Sequence, residues 1–351
     1  MSHREDNIFR RVLFIGTDRQ MAGGVAAVLK SYERNIDGFK HLATNSRHGK
    51  LAAMANFALT LACIPFYRWI GGRDIIHVHG SSYISFTRKS MVIRWAKILG
   101  FKIVYHIHGG AFKEFTAERG ENVIRRTLDR CDAIICLSDY WHEYFAGQLG
   151  YGNVHVVPNM IDNPTDLKIE RADSRVNCIF MGTICADKGI YDLVKVIADD
   201  QEYYRSRARF IIGGVGENDR LAEMIADYGI GDLVEQRGWI AGNDKIQLFN
   251  QADVLLLPSY IEGLPICILE AMSYGLPVLT TDVGAIPDVI THGVNGLIAK
   301  PGDLNMIAKD LHHIIDNNEF RRNVRPISLS RVKRYLPKQV LGKLKSIYSR
   351  L

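Results

Sequence analysis

Short apolar segments alternate with longer amphipathic segments along most of the chain. The apolar segments are nearly uninterrupted, which is typical of parallel strands that are covered on both faces. In the first half we predict strands at Val12–Ile15, Ile75–His79, Ile103–His108, Ala133–Leu137 and Val154–Val157. In the second half we predict strands at Cys178–Met181, Phe210–Ile212, Val254–Leu257 and Pro277–Thr281. The segments between them, such as Tyr191–Ala198, Arg220–Tyr228 and Asp244–Asn250, have the apolar spacing of helices.

This alternation predicts an α/β fold with two doubly wound parallel sheets. The chain has 351 residues, whereas a single domain usually has ~100–200. The polar stretch from Asp162 to Asn177 lacks apolar periodicity, and we interpret it as a linker and entry loop between two domains. Because ligands of such sheets bind at the carboxyl ends of the strands, we expect the two domains to face one another across a cleft.

The net charge of +6 is distributed unevenly. Gly38 to Lys113 carries +10 with Asp74 as its one acidic residue, and Phe320 to Leu351 also carries +10 with none. Surfaces of one sign attract nucleic acids, anionic bilayers or phosphate-bearing substrates. Apolar residues are mixed with the N-terminal charges, which suits a lipid headgroup region better than a duplex. We predict an anionic membrane surface as a partner and no nucleic acid, the alternative being a solvated face without a partner.

The N-terminal residues Met1 to Asp6 are polar and show no signal peptide. The longest uncharged apolar stretch, Leu51 to Tyr67, is shorter than the ~20 residues of a spanning helix. Pro65 also interrupts that stretch. The six cysteines form no CxxC pair and are interpreted as reduced. We therefore predict a cytoplasmic protein that is peripheral at the inner face of the membrane.

One segment combines the features of an anion-binding helix start. Glu262-Gly263-Leu264-Pro265 follows a predicted strand and opens a helix that ends at Gly275. A helix N-terminus offers free amide groups and the positive end of a dipole. Pro265 suits the first turn, and Gly263 allows close approach of an anion. Glu270, further along the helix, and Glu262, in the loop, can accept hydrogen bonds from ribose and sugar hydroxyls.

Two further loops follow predicted strands. Lys188 lies on a loop after Met181, where an ammonium can neutralise a pyrophosphate. Gly23 and Gly24 precede the helix Ala26–Tyr32, where small residues let a phosphate or sugar approach. The dinucleotide fingerprint GxGxxG is absent, which disfavours a nicotinamide or flavin enzyme.

Four histidines lie near the ends of two predicted strands. Strand alternation puts His77 with His79, and His106 with His108, on the same faces. No acidic or cysteine ligand accompanies them, so we predict no metal site and interpret His108 as a polar contact at the cleft. There is also no Asp-x-Asp to hold a metal-bound diphosphate.

These motifs together resemble glycosyltransferase family 4. The specific part runs from Glu262 to Glu270, continues through Ala271-Met272-Ser273-Tyr274-Gly275-Leu276-Pro277-Val278, and includes Gly284-Ala285-Ile286-Pro287-Asp288 and Gly293-Val294-Asn295-Gly296-Leu297. The resemblance implies the GT-B fold and a retaining mechanism. It implies two Rossmann-like domains, at 1–160 for the acceptor and 161–330 for the nucleotide sugar. A helix at 331–351 is expected to cross back to the first domain.

The resemblance also implies residue roles. Glu270 would bind the donor ribose, Glu262 the donor sugar and Lys188 the diphosphate, so that Gly263, Leu264 and Pro265 belong to the donor site. His108 would lie beside the reacting sugar, and Gly23 and Gly24 near the phosphates and acceptor. The catalytic set is then His108, Lys188 and Glu262.

Two departures from the family pattern affect the donor site. Thr183 stands where the family usually has Arg, so one diphosphate contact is lost or supplied elsewhere. Gly284-Ala285 and Asp288 replace the more common Gly-Gly and Glu. For the acceptor we select Arg47, Lys50 and His79, which lie in the basic N-terminal segment.

We therefore predict a metal-independent, retaining glycosyltransferase of bacterial exopolysaccharide, capsule or O-antigen assembly. It would transfer a hexose from UDP- or GDP-sugar to a polyprenyl-diphosphate-linked or other glycan acceptor. The alternatives are a nucleotide-sugar epimerase of the same architecture and a non-catalytic nucleotide-sugar-binding subunit that activates a partner.

Overall fold

The computed structural model describes residues 5–165 and 174–351. The chain forms two compact units, the first comprising Met1–Asp162 with Tyr335–Leu351 and the second Asn163–Arg334, as far as these are described. Each unit contains one six-stranded sheet in which all neighbouring strands are parallel. The predicted α/β fold with two doubly wound sheets is confirmed.

The sheet of the first unit has the strand order β2-β1-β3-β4-β5-β6. Its strands are β1 (Val12–Gly16), β2 (His41–Ala43), β3 (Ile75–Gly80), β4 (Lys102–Ile107), β5 (Ala133–Cys136) and β6 (Val154–Val156). Its helices are α1 (Gly24–Asn35), α2 (Lys50–Trp69), α3 (Tyr83–Ile98), α4 (Phe112–Arg119), α5 (Glu121–Leu128), α6 (Asp139–His142) and, from the C-terminus, α14 (Pro337–Tyr348). Every residue of β1, β3 and β5 is buried, which explains their uninterrupted apolar character.

The sheet of the second unit has the strand order β12-β11-β10-β7-β8-β9. Its strands are β7 (Val176–Met181), β8 (Ala208–Gly213), β9 (Val234–Gly238), β10 (Val254–Leu257), β11 (Val278–Thr281) and β12 (Gly296–Ala299). Its helices are α7 (Ile190–Asp199), α8 (Gln201–Arg205), α9 (Asn218–Asp227), α10 (Gly242–Gln251), α11 (Ile266–Ser273), α12 (Leu304–Asp316) and α13 (Asn318–Arg331).

In each sheet the chain reverses its direction of winding next to the first strand. The neighbours β1 and β3 continue to opposite sides in the first unit, and β7 and β10 do so in the second. The loops that leave such a pair diverge, and this is where open α/β sheets bind ligands. The loops after β1, β3, β7 and β10 are therefore the places to look for a site.

The prediction of the linker needs a correction. Residues 166–173 lie outside the described residues, as do Met1 to Arg4 of the N-terminal segment. Val176 and Asn177, however, belong to β7, where Val176 pairs with Ala208 of β8. Val176 is buried, so the strand begins two positions earlier than its apolar run indicated.

The prediction that Pro65 interrupts the Leu51–Tyr67 stretch is wrong. Helix α2 runs through Pro65 without a break and has 20 residues. Proline lacks the N–H that would bond the carbonyl of Leu61, and the indole Nε1–H of Trp95 in α3 donates to that carbonyl at 3.0 Å. By length and composition, α2 could cross a membrane, and it is the one such helix in the described part of the chain.

The C-terminal segment packs on the first unit. The backbone N–H of Ile161 donates to Tyr335 O at 3.1 Å, and Lys343 Nζ donates to Val156 O at 3.2 Å. Tyr348, fully buried, packs edge-on against Phe9 with ring centroids 5.8 Å apart. The helix is shorter than the 331–351 expected, because Arg331 ends α13 and α14 begins at Pro337.

Candidate active site

Lys188 and Glu262 meet at the point where β7 and β10 diverge. Lys188 ends a short 3₁₀ turn after β7, and Glu262 lies in the loop after β10. Lys188 Nζ donates to Glu262 Oε1 at 2.6 Å and to Ile261 O at 3.2 Å. An ammonium has three donors, so a third donor is left for an anion such as a phosphate oxygen.

Glycine at position 189 allows these two loops to approach. Its φ is +66°, and a Cβ there would lie 1.9 Å from Pro258 O. The backbone N–H of Tyr260 also donates to Asp187 O at 2.8 Å. Lys188 is thus fixed beside the β10 loop by contacts of its own neighbours.

A buried serine orients the Glu262 carboxylate. Ser259 Oγ, fully buried, donates to Glu262 Oε1 at 2.9 Å, and Thr281 Oγ1 donates to Ser259 O. Both hydrogen bonds to the carboxylate use Oε1. Oε2 accepts none from the described residues and is available to hydroxyl groups of a ligand.

Helix α11 begins directly after this loop. Pro265 is its N-cap residue rather than its first helical residue, with φ −66° and ψ 124°. The amides of the first turn have no acceptor within the helix, which makes this end suitable for an anion. Gly284 packs against the loop, since a Cβ there would lie 1.9 Å from Glu262 O. The predicted stop at Gly275, with φ +74°, is confirmed.

Glu270 forms a second ion pair on α11. Lys245 of α10 donates to Glu270 Oε1 at 2.5 Å, and the two side chains are 26% and 22% exposed. The sequence analysis missed Lys245, because no motif connects it to Glu270 and only the packing of α10 beside α11 joins them. Each of the two glutamates is therefore held by a lysine from another element.

The remaining predicted donor residues are distributed around this point. Gly263, Leu264 and Pro265 are buried between Glu262 and α11. Thr183 is exposed on the loop after β7. Burial raises the pKa of the Cys267 thiol to about 12, so this cysteine in the first turn of α11 is not a nucleophile at neutral pH.

In the first unit the predicted histidines form two hydrogen-bonded chains. In the first chain, His106 Nε2 contacts Val157 O at 3.1 Å and His77 Nε2 contacts His106 Nδ1 at 3.3 Å. Because a carbonyl can only accept, His106 carries its proton on Nε2 and accepts from His77 at Nδ1. His77 Nδ1 then accepts from the hydroxyl of Tyr348.

The second chain holds His108. Its Nδ1 contacts Asn159 Oδ1 at 2.9 Å, and its Nε2 contacts His79 Nδ1 at 2.8 Å. Donation to the amide oxygen leaves Nε2 as an acceptor for His79. Burial lowers the pKa of His108 to about 4, with the Asn159 hydrogen bond opposing. Both nitrogens of His108 are thus engaged by neighbours, and the ring is neutral at physiological pH.

His79 itself is 1% exposed. Its geometry gives no support to direct contact with an acceptor, because a buried ring whose Nδ1 bonds His108 faces no solvent. Its effect on a ligand would pass through His108.

The histidine rings do not suit a shared metal ion. His77, His79 and His106 have ligand atoms within 4.8 Å of one another. The rings of His77 and His79, however, are parallel within 1° at a centroid distance of 4.4 Å. A metal lies near the plane of each imidazole that binds it, and two separated parallel planes share no such point. The geometry therefore favours the hydrogen-bonded chains.

The glycines and cations proposed for the acceptor side lie near β1. Gly23, with φ +126°, is the N-cap of α1, and Gly24 begins that helix. Arg47 and Lys50 are exposed just before and at the start of α2. The backbone N–H of Arg47 contacts Asp18 Oδ2 at 3.4 Å.

A buried ammonium that the sequence analysis counted as surface charge lies behind this loop. Lys89 of α3 is 3% exposed and donates to Gly16 O at 3.0 Å and to Thr44 Oγ1. Burial, with help from Arg88, lowers its pKa to about 7. Lys89 thus ties the end of β1 to the segment after β2.

Comparison with known proteins agrees with this architecture. Residues 164–328 match the family model described as glycosyl transferases group 1, and residues 44–163 match the one described as Glycosyltransferase Family 4. With the two parallel sheets, these matches show the GT-B fold and glycosyltransferase domains over residues 44–328.

Several curated relatives are similar over part of their length. An uncharacterised glycosyltransferase of Methanocaldococcus jannaschii is 30% identical over 43% of this chain and 39% of its own length. A 41.2 kDa protein in the cps region of Klebsiella pneumoniae is 25% identical over 74% of this chain and 75% of its own. The amylovoran biosynthesis glycosyltransferase of Erwinia amylovora is 34% identical over 28% and 26%. The chain thus spans less than half the length of the Methanocaldococcus jannaschii and Erwinia amylovora relatives.

Solved structures share the fold over nearly the whole chain. Sucrose-phosphate synthase from Thermosynechococcus elongatus has a TM-score of 0.80 at 16% identity, covering 97% of this chain and 98% of that one. Anabaena HepE in complex with UDP-glucose has a TM-score of 0.76 at 17% identity, covering 97% and 99%. At these identities the likeness concerns the fold.

Proposed function

We propose that the protein is a retaining glycosyltransferase that moves a hexose from a UDP- or GDP-sugar to a glycan acceptor on a membrane lipid. The observation that carries this proposal is the pairing of Lys188 with Glu262 where β7 and β10 diverge, with Glu270 following on α11. It combines a cation for the diphosphate with two carboxylates for hydroxyl groups. HepE, which shares the fold, binds UDP-glucose, and this supports a nucleotide-sugar donor.

In this proposal the leaving nucleoside diphosphate is stabilised electrostatically. The third donor of Lys188 and the first-turn amides of α11 would contact the phosphates as negative charge develops there. Oε2 of Glu262 would bind donor-sugar hydroxyls, and Glu270 the ribose. The acceptor hydroxyl would attack on the face that the diphosphate leaves, with retention at the anomeric carbon. His108, Gly23, Gly24, Arg47 and Lys50 are proposed for the acceptor side, and no metal ion is needed.

The acceptor is proposed to be a sugar on a polyprenyl diphosphate at the inner face of the cell membrane. The basic stretch from residue 38 to residue 113 supports an anionic acceptor and surface. A pathway of bacterial surface polysaccharide synthesis is supported by the relative in amylovoran biosynthesis. The protein would then be cytoplasmic and peripheral at the membrane.

The test is the kinetic effect of Lys188→Ala on transfer from the nucleotide sugar that the wild type accepts. Loss of one charged donor to the leaving group should lower kcat by roughly 10²-fold or more. Lys195→Ala, which removes an exposed lysine of α7, is the matched control and should leave the rate unchanged. Wild-type kinetics in Lys188→Ala would contradict the role. Isomerisation of the nucleotide sugar without any acceptor would point instead to an epimerase.

A further inference from the structure

Helix α2 leaves much of its apolar surface exposed, while the side that faces the protein is mixed in polarity. The side that faces the protein combines the fully buried Ile64 with two polar groups. Asn56 Nδ2 donates to Asn45 O at 3.1 Å, and Thr60 Oγ1 donates to Ala43 O at 2.7 Å. Of its most apolar 18-residue window, 11% is buried. A surface helix normally buries its apolar stripe and exposes its polar side.

The exposed side of α2 is one continuous apolar stripe. Its members recur at the three- and four-residue spacing of a helix face: Leu51, Met54, Ala55, Ala58, Leu59, Ala62, Phe66 and Trp69. The largest are well exposed, with Leu51 at 83% and Trp69 at 70%. A contiguous exposed surface of several large apolar side chains marks a site of protein or membrane interaction.

Helix α3 extends the same apolar surface. Its exposed large residues, Ile84, Met91, Trp95 and Ile98, also recur along one helix face. The two helices are in contact, and Trp95 Nε1 donates to Leu61 O at 3.0 Å. The apolar residues of α2 and α3 named here are called the α2–α3 surface.

The exposed charged residues of α2 and α3 themselves are all cations, although one of them, Lys97, pairs with Asp132 outside these helices at 2.8 Å. Arg47 and Lys50 are exposed at the start of α2, and Arg94 and Lys97 are exposed on α3. The one acidic residue from Gly38 to Lys113 is Asp74. Its carboxylate is already paired with Arg11. An apolar stripe bordered by cations, with tryptophan and phenylalanine among its members, matches the headgroup boundary of an anionic bilayer.

We propose that the α2–α3 surface is a membrane-docking site that inserts its apolar side chains into the headgroup boundary of an anionic bilayer. This proposal rests on the proposed function. It adds to it by naming the part of the molecule that contacts the membrane. The hydrogen bonds of Asn56 and Thr60 to the backbone around β2 keep α2 attached to its domain, so α2 lies against the bilayer and does not span it.

The experiment is flotation of the purified full chain with vesicles of phosphatidylcholine alone or mixed with phosphatidylglycerol. The wild type should float with the anionic vesicles and detach in high salt. The variant Leu59→Gln/Phe66→Gln should lower the vesicle partition coefficient by about tenfold or more for each side chain. Arg94→Glu should weaken binding to the anionic vesicles only. The control Val123→Gln/Tyr228→Gln, which changes exposed apolar residues elsewhere, should float as the wild type does.

Several outcomes would overturn the docking site. These are no flotation of the wild type, equal flotation of Leu59→Gln/Phe66→Gln, or equal binding to both kinds of vesicle. A wild-type dimer that Leu59→Gln/Phe66→Gln converts to a monomer would assign the surface to a second copy. Resistance of the membrane-bound protein to carbonate extraction would show that α2 spans the bilayer. Hydrolysis of the donor nucleotide sugar, measured without vesicles, reports on the proposed function separately from docking.

Discussion

At the scale of single residues, the donor side is organised by paired charges. Glu262 and Glu270 each use Oε1 to accept from a lysine of another element, Lys188 and Lys245 respectively. An ion pair fixes the orientation of a carboxylate before a ligand arrives, which reduces the conformational freedom lost on binding. The sequence motifs indicated Lys188 but not Lys245.

The role of Lys245 can be separated from that of Lys188 by kinetics. Lys245→Ala should raise KM for the nucleotide sugar by up to about tenfold with kcat nearly unchanged, because it frees the carboxylate proposed to bind the ribose. Lys245→Arg, which keeps the charge, should recover part of the affinity. A fall in kcat with unchanged KM would show that Lys245 acts on the reaction step and not on Glu270.

At the scale of elements, β3 and β4 carry three stacked and hydrogen-bonded histidines, and a fourth, His108, directly follows β4. Burial lowers the pKa values of His77, His79 and His106 well below 6.5, with neighbouring histidines contributing, and that of His108 to about 4. The folded protein therefore keeps these rings neutral where an unfolded chain would protonate them.

This difference predicts a loss of stability in mild acid. A histidine whose folded pKa is lowered contributes its full stability above the unfolded pKa, and that stability is lost as the pH falls. Below about pH 6.5 the free energy of unfolding should fall by roughly 1 kcal/mol per histidine for each pH unit. The protein should therefore be less stable at about pH 5.5 than at about pH 7.5. Urea unfolding at the two pH values measures it. His48→Gln, at an exposed histidine, should retain the wild-type dependence, and equal midpoints at both pH values would contradict the prediction.

The sequence predicted the central strands well and the edge strands poorly. Val254–Leu257 agrees with β10 to the residue, because a central parallel strand is apolar throughout. The edge strands β2, β9 and β12 were missed. Strand β2, His41–Ala43, has three half-buried residues, and β9 contains Glu235, Gln236 and Arg237. These two strands are covered less completely than a central strand, so no apolar run marks them. Incomplete cover does not explain β12, which is apolar and largely buried, and the edge strand β6 was predicted at Val154–Val157.

The candidate site was predictable only where consecutive residues carry it. Glu262 to Glu270 form one continuous motif, and Lys188 follows a strand end. The pairing of Lys245 with Glu270 and of Tyr348 with His77 joins residues that are far apart in the sequence. Lys89 and Arg73 were counted as surface charges although both are buried, since composition does not reveal which lysines and arginines find buried carbonyl acceptors.

At the scale of the whole molecule, the C-terminal segment belongs to the first unit although it follows the second in the sequence. Tyr348 is fully buried there, and its hydroxyl donates to His77 Nδ1. The last helix therefore packs on the sheet that carries the histidines.

Tyr348→Phe tests this attachment. It keeps the ring and removes the donor, which leaves a buried His77 nitrogen unpaired and should lower the free energy of unfolding by about 1–3 kcal/mol. Thermal unfolding measures the change. Tyr228→Phe, at an exposed tyrosine of the second unit, is the control and should change little. Equal midpoints for the two variants would mean that the hydrogen bond contributes no stability.

The central claim is that the second unit binds a nucleoside diphosphate at the loop that begins with Glu262. The most direct measurement is a crystal structure of the protein soaked with UDP or GDP, whichever raises the melting temperature. The account predicts phosphate oxygens within hydrogen-bond distance of Lys188 Nζ and of the first-turn amides of α11, with the ribose at Glu270. Phosphates bound away from Lys188 and α11 would contradict it.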